Sequence, residues 1–247
     1  MNYTAPENLL INKTILITGA GDGIGKSLAI KCASLGAKVI LLGRTLTKLQ
    51  AVSEKISALN NVTPAIISMD LNTANEQQYK ALAEKLMSEH KKLDGLVHNA
   101  SYLGEICPFT DIDNETWNEV MQTNVNATFL LTKHLMPLLE QAEAASTIFT
   151  TSSVGFKGRA LWGAYGVSKF ATEGMMQTIA DEYQSSAMRF NAINPGATRT
   201  VMRANAYPKE DPQVLKTADE ILPIYLYLLG DESVDITGQR FNAQEKR

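Results

Sequence analysis

The chain has 247 residues, room for one large α/β domain with a core that supports a rigid site, and a tight fit for two. A composition of 45% hydrophobic and 20% charged residues is ordinary for a globular protein and excludes a disordered or fibrous chain. The formal net charge of −3 offers no basic stripe to neutralise a row of phosphates, which excludes nucleic acid as the expected partner.

Cys32 and Cys107 stand far apart with no C-x-x-C or metal-ligand spacing, so both are read as reduced thiols of a cytoplasmic protein. The segment from Met1 to Asn12 lacks a charged start followed by an apolar run, and no stretch reaches the roughly 18 apolar residues of a membrane span. The expectation is a protein neither exported nor inserted. His90, His98 and His134 share no spacing with acidic or thiol partners, and no metal is predicted. The acidic run Glu115 to Glu119, with Asp111 and Asp113, is explained by a helix start and solvent.

Short β-branched or aliphatic runs alternate with longer stretches of helical period. This pattern predicts a doubly wound α/β fold of Rossmann type, one domain over 1–247, with a seven-stranded parallel sheet flanked by helices. The first strand, Thr14 to Thr18, runs into Thr18-Gly19-Ala20-Gly21-Asp22-Gly23-Ile24-Gly25 and then a helix, Gly25 to Leu35, burying Leu28, Ala29 and Cys32. Glycines at a strand-to-helix turn let the backbone approach a pyrophosphate, which the N–H groups of the helix start then meet.

The second strand, Lys38 to Leu42, ends at Gly43-Arg44, where dinucleotide folds choose their cofactor. An acidic residue there would hold the ribose hydroxyls of NAD; Gly43 takes its place, and the Arg44 guanidinium suits the 2′-phosphate of NADP. NADP(H) is therefore expected ahead of NAD(H), although Asp22 leaves open a purely solvated Arg44. A helix over Leu46 to Leu59 and a strand over Ala65 to Met69 lead to Asp70-Leu71, then a capping box of Thr73 with Glu76 opening a helix over Asn75 to His90. The strand Gly95 to His98 is followed by Asn99-Ala100-Ser101.

One long helix is expected over Glu115 to Leu139, with Asn124 inside it, where asparagine has poor propensity and needs a reason. Asn126 is the near alternative. After the strand Thr147 to Thr151 come Ser152 and Ser153. The next helix, Tyr165 to Ser185, opens with Tyr165-Gly166-Val167-Ser168-Lys169, whose i, i+4 spacing puts phenol and ammonium on one face. A phenol with a pKa near 10 exchanges protons poorly at neutral pH, and a neighbouring ammonium is expected to bring it down. The strand Arg189 to Ile193 precedes Asn194-Pro195-Gly196-Ala197-Thr198-Arg199-Thr200. Val201 to Lys216, with Pro208 and Pro212, reads as a long loop or lid. Thr217 and Glu220 form a second capping-box pair before a helix over Asp219 to Leu229, and a short strand follows near Gln239 to Phe241.

T-G-x-x-x-G-I-G from Thr18 to Gly25, together with Y-x-x-x-K from Tyr165 to Lys169, resembles the short-chain dehydrogenase/reductase family. The likeness runs from about Thr14 to Gly238. Trp162-Gly163-Ala164-Tyr165 and Lys169-Phe170-Ala171-Thr172-Glu173-Gly174-Met175-Met176 are similar to a YciK-like group of bacterial oxidoreductases within it. The resemblance implies that Gly19, Gly21, Asp22, Gly23, Ile24 and Gly25 face the pyrophosphate and that Asp70, Leu71, Asn99, Ala100 and Ser101 line the cofactor site. Ser101 departs from the glycine that ends the family's N-N-A-G motif. Pro195, Gly196, Thr198 and Thr200 would flank the nicotinamide, with Tyr165 and Lys169 also against the cofactor.

Four catalytic residues are implied: Tyr165 as general acid/base, Lys169, Asn124 holding a relay water, and Ser152, thirteen residues before Tyr165, on the substrate oxygen. Ser153 competes with Ser152. The expected protein is an NADP(H)-dependent oxidoreductase moving a hydride to or from a small carbonyl or alcohol, assembled as a homo-oligomer, dimer or tetramer. The rival is a non-catalytic NADP(H)-sensing protein, whose mark would be loss of the tyrosine or lysine. Specificity should reside in Leu103 to Phe109, Phe156 to Trp162 and the lid; Leu103, Phe156, Leu161 and Trp162 suit an apolar substrate, whereas Arg159, Arg199 and Arg203 suit a carboxylate or phosphate. At the C-terminus Arg240-Phe241-Asn242-Ala243 stands where many relatives have V-D-G-G.

Overall fold

The computed structural model describes residues 3–60 and 62–245, so the ends of the expected 1–247 domain lie outside the described residues. Seven strands, β1 (Thr14–Thr18), β2 (Lys38–Gly43), β3 (Ala65–Ser68), β4 (Gly95–His98), β5 (Ser146–Thr150), β6 (Arg189–Asn194) and β7 (Arg240–Asn242), form one sheet in the order β3-β2-β1-β4-β5-β6-β7. All six pairings are parallel. Strands buried on both faces account for the unbroken aliphatic runs: Ile15 and Ile17 of β1 pack with one core cluster, while Leu16 between them packs with the other.

Helices α1 (Gly23–Ser34), α2 (Leu46–Asn60) and α8 (Leu222–Leu229) cover the first face, through Leu28, Leu49 and Tyr225 among others. On the second face lie α3 (Glu76–Glu89), α5 (Ala127–Leu139) and α6 (Gly163–Glu182), through Tyr79, Leu131 and Met176. The chain order reverses between β1 and β4, and their carboxyl ends open there into a cleft, as expected for an open parallel sheet. Among the described residues, no helix is long and apolar enough to cross a membrane.

Four expectations are corrected. The expected helix Glu115 to Leu139 is α4 (Asn114–Met121) and α5 joined by a π turn over Gln122–Asn126. The cap of α3 is Asn75, whose side chain accepts from Gln78 N while the Gln78 side chain accepts from Asn75 N; Thr73 and Glu76 do not form the box because the cap lies two residues after Thr73. Val201 to Lys216 is not a plain loop: it contains α7 (Val201–Ala206), capped by Thr200, and a 3₁₀ turn over Pro212–Val214. The helix expected to begin at Asp219 starts as a 3₁₀ turn, Asp219–Ile221, before α8. The Thr217–Glu220 pair does form, with Thr217 N donating to Glu220 at 2.7 Å and Glu220 N donating to Thr217 Oγ1 at 3.4 Å.

Candidate active site

At the end of β1, Thr18 Oγ1 accepts from the backbone N–H groups of Asn99 and Ala100, both at 2.9 Å, and the Asn99 amide donates to the Thr18 carbonyl at 3.1 Å. These bonds tie the two strands at which the chain order reverses. Gly19 and Gly23 adopt positive φ of 65° and 51°, a conformation costly for other residues, and turn the chain into α1. Gly19, Gly21, Asp22, Gly23 and Ile24 line the cleft, whereas Gly25 does not. A Cβ on Gly25 would run into the Gly19 carbonyl and the Asn99 amide, so its smallness serves close packing of α1. Asp22 caps α1 by accepting from Gly23 N at 2.8 Å, and its carboxyl pairs with Lys48 of α2 at 2.6 Å.

Arg44 follows β2, exposed on the cleft rim, and no ion pair involves it among the described residues. Asp70 accepts from Asn72 N at 3.0 Å within its own turn, and both Asp70 and buried Leu71 line the cleft. Asn99, Ala100 and Ser101 line it from the β4 side, and Pro195, Gly196, Thr198 and Thr200 from the β6 side. The cleft, about 1970 Å³, is lined by all the nominated cofactor-binding and catalytic residues except Gly25 and Asn124.

Tyr165 and Lys169 lie on the first two turns of α6, Ser152 at the end of β5, and Asn124 in the π turn. Burial pushes the Tyr165 phenol up to about 12, and hydrogen bonding by the Ser101 and Ser152 side chains pulls against it. Exposed Ser153 takes no such part. The Lys169 ammonium lies over the Tyr165 ring, 5.4 Å from the centroid, and donates to the Thr150 carbonyl at 2.9 Å. Lys169 is itself lowered to about 8 by burial, with Glu173 opposing. His98, buried on Thr132 and Phe149, is pushed down to about 3 by burial and stays neutral.

Asn124 is 2% exposed and its side chain makes four hydrogen bonds. Oδ1 accepts from Tyr102 N at 2.7 Å and Ser101 Oγ at 3.1 Å; Nδ2 donates to the Tyr102 carbonyl and Ser168 Oγ, both at 2.9 Å. It thus fastens the segment after β4 to α6. The π turn supplies the reason an asparagine tolerates this place, since such turns recur where a functional group must be aimed inward. Asn126 is exposed, and among the described residues its side chain donates to Gln122 Oε1 at 2.9 Å alone.

The substrate end is walled by Leu103, Phe156, Trp162 and Tyr207, while Leu161 does not line it. Two of the three arginines expected to hold an anion are spent internally. Arg199 donates to the carbonyls of Pro212, Gln213 and Leu215, pinning the lid. Arg203 forms a two-pronged pair with Glu210 at 2.6 and 2.7 Å and stacks on Tyr207 at 3.8 Å. Arg159 donates to the Tyr207 hydroxyl at 3.1 Å.

Two cleft residues have no motif to announce them. Lys48 places a cation beside Asp22, and Gln244, from the segment after β7, donates to the Pro195 and Ala197 carbonyls at 2.8 and 3.0 Å and to Thr198 Oγ1 at 3.2 Å. Gln244 packs beneath Gly196, whose φ of 73° it helps to fix. Thr151 presents a buried Oγ1 without a hydrogen-bond partner on the cleft wall. A dinucleotide suits these residues, since the N–H groups at the start of α1 suit its phosphates.

The family model described as short chain dehydrogenase matches residues 13–211. The chain belongs to the short-chain dehydrogenase family. It is 50% identical to the YciK oxidoreductase of Escherichia coli over 247 residues, 100% of this chain and 98% of that protein. It is 30% identical to a cyclohexanol dehydrogenase of Acinetobacter over 239 residues, 95% of this chain and 94% of that protein. The solved yciK structure from E. coli superposes with a TM-score of 0.97, covering 99% of this chain and 100% of that one. A short chain dehydrogenase from Shigella flexneri, crystallised with NADP, is 50% identical with a TM-score of 0.96, covering 97% of this chain and 100% of its own. As a short-chain dehydrogenase, the chain is an oxidoreductase.

Proposed function

We propose that residues 1–247 act as one NADP(H)-binding and catalytic unit that reduces a small carbonyl compound or, in reverse, oxidises an alcohol. The observation that carries this reading is the meeting of Tyr165, Ser152 and Lys169 at the carboxyl ends of the central strands, beside a cradle for phosphates. The NADP complex of the Shigella relative supports the cofactor choice, and so does an unpaired Arg44 on the rim.

Bound NADPH would supply the hydride. The Tyr165 phenol, kept protonated by burial, gives its proton to the substrate oxygen, while the Ser152 hydroxyl hydrogen-bonds the same oxygen and stabilises its growing charge. Lys169, held by the Thr150 carbonyl under the ring, keeps two further donors for the cofactor ribose, and Asn124 fixes the segment from which the relay runs. Because the resting phenol is an acid, carbonyl reduction starts from the resting protonation state. Exposed Phe129, Val167 and Phe170 on α5 and α6 support assembly with further copies of the chain.

The test offers the purified protein NADPH or NADH with a panel of neutral and anionic ketones and aldehydes. Turnover with NADPH, at least about tenfold above that with NADH, is expected. Equal use of both cofactors would refute the NADP assignment, and binding without turnover across the panel would refute the oxidoreductase chemistry.

A further inference from the structure

Three arginines stand at the substrate end of the cleft, and they differ in how far the protein itself occupies them. Arg199 is committed to the lid carbonyls and Arg203 to Glu210. Arg159 lines the cleft, exposed, and among the described residues no acidic side chain pairs with it. Its Nη1 donates to the Tyr207 hydroxyl at 3.1 Å, and its donors on Nη2 and Nε have no acceptor among the described residues. That bond also orients the Tyr207 hydroxyl. A phenol oxygen that accepts from a guanidinium turns its single proton elsewhere, and among the described residues nothing accepts that proton. Tyr207 is itself held by two neighbours: Arg203 stacks on its ring at 3.8 Å, and the Trp162 ring centroid lies 5.9 Å away.

We propose that Arg159 and Tyr207 form a carboxylate-binding fork, and that the substrate is an oxo acid with its carboxylate on the fork and its carbonyl at Tyr165. The inference rests on the reading of Tyr165 as the proton donor and names the substrate class of that site. Arg159 offers a charge and Tyr207 a neutral O–H donor, which match the single charge and two oxygens of a carboxylate. Tyr207 is fixed by Arg203 and Trp162, and Arg159 by Tyr207, so little ordering is left to be done when the acid arrives. A neutral carbonyl compound leaves both donors to water. The preference for an acid therefore falls on binding rather than on the chemical step.

The same geometry sets where the carboxylate stands along the substrate. Trp162 contacts both ends of the site, its ring centroid 5.9 Å from that of Tyr207 and 5.7 Å from that of Tyr165. A substrate that reaches from fork to phenol must span this indole, so an apolar body separates its carboxylate from its carbonyl. The directly joined groups of an α-oxo acid do not meet that spacing. Lys157 and Glu105 also line this end, both exposed, and among the described residues neither side chain bonds Arg159 or Tyr207.

The experiment follows NADPH-dependent reduction of para-formylbenzoate, its methyl ester and pyruvate by wild type, Arg159→Gln, Tyr207→Phe and Lys157→Gln. The phenylalanine keeps the ring against Arg203 and Trp162 and removes only the hydroxyl. Wild type should use para-formylbenzoate at least about tenfold better than the ester or pyruvate, in kcat/KM. Arg159→Gln should raise KM for the acid about tenfold and Tyr207→Phe about threefold, with kcat within about twofold and the ester unaffected. Lys157→Gln should change neither. A second arm needs no turnover: para-hydroxymethylbenzoate, the alcohol form, is titrated by calorimetry into protein saturated with NADPH. It should bind wild type more tightly than its methyl ester does, and about tenfold more weakly in Arg159→Gln. Acid and ester treated alike by wild type in either arm, an unchanged KM and Kd in Arg159→Gln, or an equal loss in Lys157→Gln would overturn the proposal. If wild type reduces neither aldehyde, the oxidoreductase chemistry falls while the binding arm still decides the fork.

Discussion

Glu173, one turn beyond Lys169 on α6, is buried and meets Arg240 of β7 at 2.9 Å, and the same guanidinium lies 5.0 Å from the centroid of the Phe156 ring. One ion pair thus links the catalytic helix, the last strand and the substrate wall. Breaking it by removing one partner leaves the other charge buried and uncompensated. Arg240→Met is expected to cost about 3 kcal/mol in urea unfolding, and the double variant with Glu173→Gln to recover much of that loss. A strictly additive double-variant cycle would show that the pair does not couple these elements.

The two asparagines near the π turn should behave differently. Asn124→Leu removes four hydrogen bonds from a buried site and leaves the Tyr102 N–H and carbonyl without their Asn124 partners, while Ser168 Oγ keeps only its bond to the Tyr165 carbonyl. A loss of about 3 kcal/mol is expected. Asn126→Ala, exposed and bonded only to Gln122, should stay within about 0.5 kcal/mol of wild type. Thermal unfolding of the two variants side by side checks this; comparable losses would contradict the geometry.

Lys169 gives a pH dependence of defined sign. Its folded pKa of about 8 lies below the ordinary 10.5, so between these values the unfolded chain binds more protons than the folded one. Stability contributed by this site therefore rises from pH 8 to pH 10.5, and below pH 8 the burial penalty is fully present. Lys169→Met removes that penalty. Its advantage over wild type in urea unfolding should be largest below pH 8 and shrink by about 3 kcal/mol as pH rises through the window. A constant difference would place the lysine in a wetter environment.

Arg44 should act on one cofactor only. An exposed, unpaired guanidinium on the rim can recognise a phosphate that NADH lacks. Arg44→Ala is expected to raise the Kd for NADPH about tenfold or more and to leave that for NADH unchanged, as read by nucleotide fluorescence. Equal weakening of both would move the 2′-phosphate contact elsewhere, with Lys48, 2.6 Å from Asp22, the next residue to change.

Local chemistry made much of this molecule legible in the sequence. β1 and β4 have the bounds read from their aliphatic runs, because strands buried on both faces need no partner information to be recognised. The glycine turn and the Tyr165–Lys169 pair were legible because their spacing is itself the mechanism. What escaped depends on contacts distant in sequence. The π turn at Asn124 is stabilised by Tyr102 and Ser168, and Gln244 acts on a loop 46 to 49 residues earlier. The spending of Arg199 and Arg203 on the lid is visible only once α7 has folded. The spacing of Lys169 sets its helix face, whereas its hydrogen bond to the Thr150 carbonyl depends on β5, distant in sequence.

The central claim is that the Tyr165 phenol moves the proton while the rest of the cleft binds. It is tested most directly by measuring NADPH binding and carbonyl reduction on the same preparations of wild type and Tyr165→Phe. The phenylalanine keeps the ring that covers Lys169 and removes only the hydroxyl. The account predicts NADPH affinity within about twofold of wild type and a loss of kcat of at least about 100-fold. Undiminished turnover in Tyr165→Phe would contradict it.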